Sequence, residues 1–171
     1  MGTPLIVRLL LDAQTEFAKV VDAVPDTTPP SPLNSPGWVV AHATFIHDCW
    51  INGDAQGKPK DDWDSWLVDW ADRQRASRPD PIATDLADAN AALHRILPAA
   101  TAFLSALTDG DLETVPPYEE GAWPAGTTVG YLVARAIAHL FAHASELNVI
   151  STAAGRPDAG LPGPLAATRG S

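Results

Sequence analysis

The chain has very little cysteine and few positive charges. Cys49 is the single cysteine among 171 residues, which excludes an intramolecular disulfide and any multi-cysteine zinc site. Lys and Arg together number 11 against 21 Asp and Glu, for a net charge of −10. That balance argues against nucleic acid and anionic membrane surfaces as main partners, because both need a basic footprint. No apolar run of about 20 residues is free of charge, so no transmembrane helix is expected. Met1 to Leu11 is too short for a signal peptide, with Asp12 and Glu16 following at once. The expectation is a soluble cytoplasmic protein. Strand-like alternation of useful length is missing, and so is any internal repeat. A hydrophobic content of 46% with six Trp argues against disorder, and the length suits one domain. Arg exceeds Lys and Ala is abundant, a weak sign of a GC-rich genome.

Helical periodicity organises what remains. Leu9, Leu10, Ala13, Phe17, Val20, Val21 and Val24 recur at spacings of three and four, predicting a helix over Leu5 to Val24 that Pro25 ends. The proline-rich stretch from Asp26 to Asn34 reads as loop. Ser35-Pro36 opens a second helix, with serine as N-cap and proline at the first helical position, running to about Trp50 or Ile51. A short helix over Asp61 to Arg75 carries Trp63, Trp66, Leu67 and Trp70 on one stripe, with Asp in its first turn. Thr84 to Leu107 forms a third long helix, bent at Pro98. Asp109 to Ala125 reads as irregular. Thr127 or Thr128 caps a fourth long helix reaching about Ala154, stopped by Gly155 and Pro157. Only Arg135 and Glu146 are charged in it, so it is expected to be central and covered on most sides. The expected fold is all-α, a four-helix bundle over residues 1–155 with the Trp-rich helix inserted between helices two and three. Residues 156–171 form a Gly/Pro-rich tail. The long connections leave crossovers open.

The fourth helix holds His139 and His143. Four residues advance a helix by about 400°, so the two imidazoles point the same way, about 6 Å apart. That spacing suits two ligands on one metal ion. It equally suits two structural histidines, each hydrogen-bonded to a neighbour. Leu140 follows His139 where the zinc-protease motif has Glu, so that mechanism is not supported. On helix two, His42 lies in an otherwise apolar stretch, and His47 lies about 140° round from it and reads as a solvated or rim histidine. His94 is isolated and reads the same way.

The run Ser35-Pro36-Gly37-Trp38-Val39-Val40-Ala41-His42, followed by His139-x-x-x-His143 late in the chain, resembles the DinB-like superfamily. That group includes the metal-binding domains of mycothiol-dependent maleylpyruvate isomerases, bacillithiol transferases and the N-terminal domain of ergothioneine sulfoxide synthases. The resemblance covers about residues 5 to 155. It implies a four-helix bundle and a metal triad of one His from helix two and an HxxxH pair from helix four, here His42, His139 and His143. The implied cofactor is one divalent ion, Zn or Ni foremost, with a low-molecular-weight thiol of the mycothiol type as cosubstrate. The implied activity is that of a transferase or isomerase on a small-molecule substrate. A metal-dependent hydrolase and a non-catalytic metal- or ligand-binding bundle stay open, as does a homodimer.

Around the triad, Glu146 shares the face of His139 and His143. It is a candidate fourth ligand, a hydrogen-bond partner for an imidazole, a general base, or a surface residue. Arg135 is one turn before His139 and suits an anionic substrate or an ion pair with an acid from helix one or the loops. Trp50 is a candidate for the pocket mouth. Cys49 reads as a small core residue.

Overall fold

The computed structural model describes residues 2–29, 33–118 and 121–156. The tail from 157 onward, and prolines 30 and 32 of the first loop, lie outside the described residues. Those described are helical, with no strand among them. The helices are α1 (Leu5–Ala23), α2 (Pro36–His47), α3 (Ser65–Ser77), α4 (Leu86–Ala106), α5 (Asp109–Leu112) and α6 (Val129–Ala153). α1 buries Val7, Leu10, Ala13, Gln14, Phe17 and Val21 on one face. It stops where Val24 turns extended ahead of Pro25, as a residue preceding proline prefers. The Ser35 hydroxyl accepts from Trp38 N at the start of α2, and the Thr128 hydroxyl accepts from Tyr131 N at the start of α6. Gly155, at φ 77°, follows the end of α6.

The four long helices pack in a closed ring, α1 against α6, α6 against α2, α2 against α4, and α4 against α1. Consecutive α1 and α2 therefore stand on a diagonal, which the long connection between them allows. α3 lies outside this ring against α2. Trp38 Nε1 donates to Gln74 Oε1 at 2.6 Å, and Trp70 Nε1 to Thr84 Oγ1 at 2.9 Å, fixing the insert to α2 and to the loop before α4. At Gly37 the backbone of α2 passes so close to Thr84 that a Cβ would collide with the Thr84 carbonyl.

Several expectations need correction. The covered helix is α2, with eight of its twelve residues buried, whereas α6 buries eight of 25. α6 turns Ala134, Ala138 and Ala142 outward. Alanine favours helix whether or not it is covered, so apolar composition overstated the burial of α6. The Trp-rich helix starts at Ser65. Asp61 and Asp62 sit in a separate 3-10 turn, and Asp64 caps α3 by accepting from Leu67 N while pairing with Arg95 at 2.9 and 3.1 Å. Trp63 thus precedes α3. The stretch after α4 includes α5, closed by a reciprocal Thr108–Asp111 capping box. Beyond His47 the second helix widens into a π-helical turn, Asp48–Gly53. Asp48 is buried there and anchors the turn by accepting from Asn52 Nδ2 and Asp64 N, while Asn52 also donates to the Ile96 carbonyl. Burial raises the Asp48 pKa against the pull of these bonds.

His47 is not a rim residue. It is 2% exposed, pointing into the bundle, with Nε2 2.8 Å from Gln14 Nε2. The 140° that separates it from His42 turns it toward α1 rather than toward water. Gln14 can only donate through that nitrogen, so the His47 proton sits on Nδ1, which is buried without a partner. Burial lowers the His47 pKa from 6.5 to about 4. The unfolded chain therefore binds this proton in a range where the native protein does not. Stability is complete above pH 6.5 and falls as the pH drops toward 4, by as much as about 3 kcal/mol from this residue. Urea titrations in chelator across that range should show the decline, and His47→Gln should make it shallower, His42 and His139 supplying the rest. An unchanged slope in the variant would remove His47 as its source.

Candidate metal centre

Two helices build the centre. α2 supplies His42 in its second turn, and α6 supplies His139 and His143 one turn apart. The ring centroids lie 5.2 Å apart for His42 and His139, 4.9 Å for His42 and His143, and 4.5 Å for His139 and His143. One ligand nitrogen from each ring lies within 4.8 Å of the other two. The cluster is partly buried, open to solvent at its rim.

Protonation favours open lone pairs. Burial, then the neighbouring His143, lowers His42 to about 4. Burial, then His143 and His42, lowers His139 to about 3. Both rings are neutral at pH 7, as metal ligands must be. His143 Nδ1 is 2.9 Å from Glu146 Oε2. A carboxylate only accepts, so the proton is on Nδ1 and the lone pair on Nε2. That Nε2 faces His139 Nε2 at 3.3 Å. Two nitrogens bound at about 2.0–2.1 Å to a tetrahedral ion stand about 3.3 Å apart, the same separation. His139 Nδ1 is buried without a partner, so the contact with His143 is the one hydrogen bond this ring has among the described residues. The donor set therefore fits a divalent ion: His42, His139 and His143 could hold one.

Glu146 uses both oxygens, Oε2 on His143 and Oε1 accepting from Asn34 Nδ2 at 3.3 Å. The hydrogen bond from His143 lowers its pKa first, with burial opposing and Asn34 assisting. Trp38 stacks on His42 at 5.1 Å with an interplanar angle of 11°. Trp50, in the π turn, meets His139 edge-on at 5.3 Å and Trp123 at 5.5 Å. The Arg135 guanidinium lies 5.3 Å over the Trp50 ring. It forms no ion pair among the described residues, so the expected acidic partner is replaced by an aromatic face. Cys49 is buried, and burial, then the Asp48 and Asp54 charges, push its thiol pKa far up. His94 lies exposed beside Asp22, away from the centre.

Sequence reasoning did not single out Asn34, Gln74 or Arg78. Asn34 reaches Glu146 across 112 positions, and Gln74 pins Trp38 across 36. No periodicity could signal either. Arg78 faces His42 closely enough for its charge to oppose protonation there.

Among the described residues, no helix is long and apolar enough to cross a membrane. No curated protein matches the chain. The family model of the DinB superfamily matches residues 9–147, a span that holds all three histidines and most of the four long helices. The chain belongs to the DinB superfamily, whose domains commonly bind metal.

Proposed function

We propose that the protein is a divalent-metal-dependent enzyme in which a low-molecular-weight thiol, of the mycothiol type, attacks an electrophilic small molecule in a transfer or isomerisation. The observation that carries this is an open donor set: three imidazoles converge from two helices with no fourth protein ligand among the described residues. Structural zinc sites are normally closed by four protein ligands, whereas catalytic ones keep a position free. Imidazole ligands suit Zn and Ni among other ions. When bound, such an ion supplies Lewis acidity that lowers the pKa of a thiol ligand.

The chain's own residues do the rest. Glu146 fixes the tautomer and plane of His143, and Asn34 fixes Glu146. Trp38 and Trp50 flank the triad and limit water on either side. Cys49 stays protonated, which supports a thiol arriving from solution rather than an internal nucleophile. Both oxygens of Glu146 are engaged and its pKa is lowered, which favours an orienting role over that of a general base in a hydrolase.

The protein should bind about one Zn²⁺ or Ni²⁺ per chain, by the one triad among the described residues. His139→Ala should abolish this while the far-UV helical signal persists. The loaded protein should consume thiol with chlorodinitrobenzene. Ester cleavage without thiol would instead mark a hydrolase, and metal binding without either reaction would mark a binding module. Wild-type protein that takes up neither ion would overturn the reading.

Glu146→Gln should weaken metal affinity by about 10–100-fold, since the amide no longer holds His143 as the carboxylate does. Competition with a chromogenic chelator measures this. Unchanged affinity with turnover lowered by about 10²–10⁴-fold would assign Glu146 to the chemical step instead.

A further inference from the structure

A cavity of about 420 Å³ opens beside His42, on the side of the triad away from Trp50 and Arg135. Its volume suits a small molecule. Trp38, Phe45 and Trp70 give it an aromatic wall, and Arg75 and Arg78 stand at its edge. The wall is held in place. Trp38 is fixed by Gln74 and by stacking on His42, and Trp70 by Thr84. Arg75 is engaged with Asp72 at 2.7 Å, but Arg78 has no ion-pair partner among the described residues. In a chain of net charge −10, an uncompensated cation facing a cavity that touches a metal-ligand histidine is a local exception to the overall field.

The smaller pocket of about 210 Å³ at Trp50, Arg135 and His139 is a poorer host. Its arginine already lies over Trp50, the one aromatic carbon wall besides His139 that lines it.

We propose that the cavity beside His42 binds a small molecule with a planar apolar body and one anionic group such as a carboxylate, the anion on Arg78 and the body against Trp38 and Phe45. A molecule so placed abuts His42, with its apolar part along the aromatic wall beside the triad. That the molecule is a substrate rests on the catalytic reading of the triad; that it binds does not.

The test uses the full chain in chelator, so that a carboxylate has no ion to bind. Benzoate and its neutral counterpart benzamide are titrated while the indole N–H signals of Trp38 and Trp50 are followed by NMR. Benzoate should shift the Trp38 signal saturably, and benzamide should bind about tenfold more weakly or less, as loss of a charge-assisted hydrogen bond predicts. Arg78→Gln should erase the preference, and Arg135→Gln should keep it. Absence of saturable benzoate binding, equal affinities, an unchanged preference in Arg78→Gln, or a shift confined to Trp50 would each overturn the proposal. Failure to load metal would sink the catalytic reading and leave this titration standing. Normal metal loading without a benzoate preference would sink the cavity site and leave the metal centre.

Discussion

The contact between α2 and α6 brings His42 to His139 and His143, and most other features of the site follow from it. Imidazoles this close cannot all be imidazolium cations, because like charges at such separations repel and burial disfavours each charge. The result is a group of ring nitrogens that the protein only partly satisfies. His143 finds Glu146, His42 finds the face of Trp38, and His139 Nδ1 finds nothing. The facing Nε2 atoms of His139 and His143 are the pair an ion would bridge, while the unpaired His139 Nδ1 keeps its cost of about 1–3 kcal/mol.

The helical frame serves that contact. Gly37 lets α2 slide beneath Thr84, and the Ser35 cap and Pro36 set where α2 begins, so His42 falls on the α6 side. The insert α3 then covers Trp38, which in turn covers His42. On the far side the π turn carries Trp50 to His139. The triad thus sits between two aromatic walls, each with an arginine at its edge. Burial sets the charge of the whole region: it keeps His42 and His139 neutral and the Cys49 thiol protonated, while the Glu146 carboxylate stays ionised because His143 and Asn34 donate to it.

Local chemistry made the long helices legible. Hydroxyl caps at Ser35 and Thr128, Pro25 after α1 and Gly155 after α6 mark ends that depend on a few adjacent residues. The HxxxH spacing likewise follows from helix geometry, and His42 was singled out through the family resemblance. Features that depend on distant partners were not legible. The π turn needs Asp48 to be met by Asp64 and Asn52 by Ile96. The interior position of His47 needs Gln14 on another helix. Which helix is covered depends on what packs outside it, so α6 looked central on composition although α2 is. Arg78 precedes a proline in a loop, and nothing in its neighbours announces the cavity it faces.

The central claim is that three imidazoles, from His42, His139 and His143, hold one divalent ion and leave it open to an outside ligand. X-ray absorption spectroscopy of the Zn²⁺-loaded protein tests this directly. The account predicts an inner shell with three imidazole nitrogens at about 2.0–2.1 Å, completed by a light atom from solvent that gives way to a sulfur at about 2.3 Å when a thiol is added. A shell of carboxylate oxygens without imidazole, or a closed shell that thiol does not alter, would contradict it.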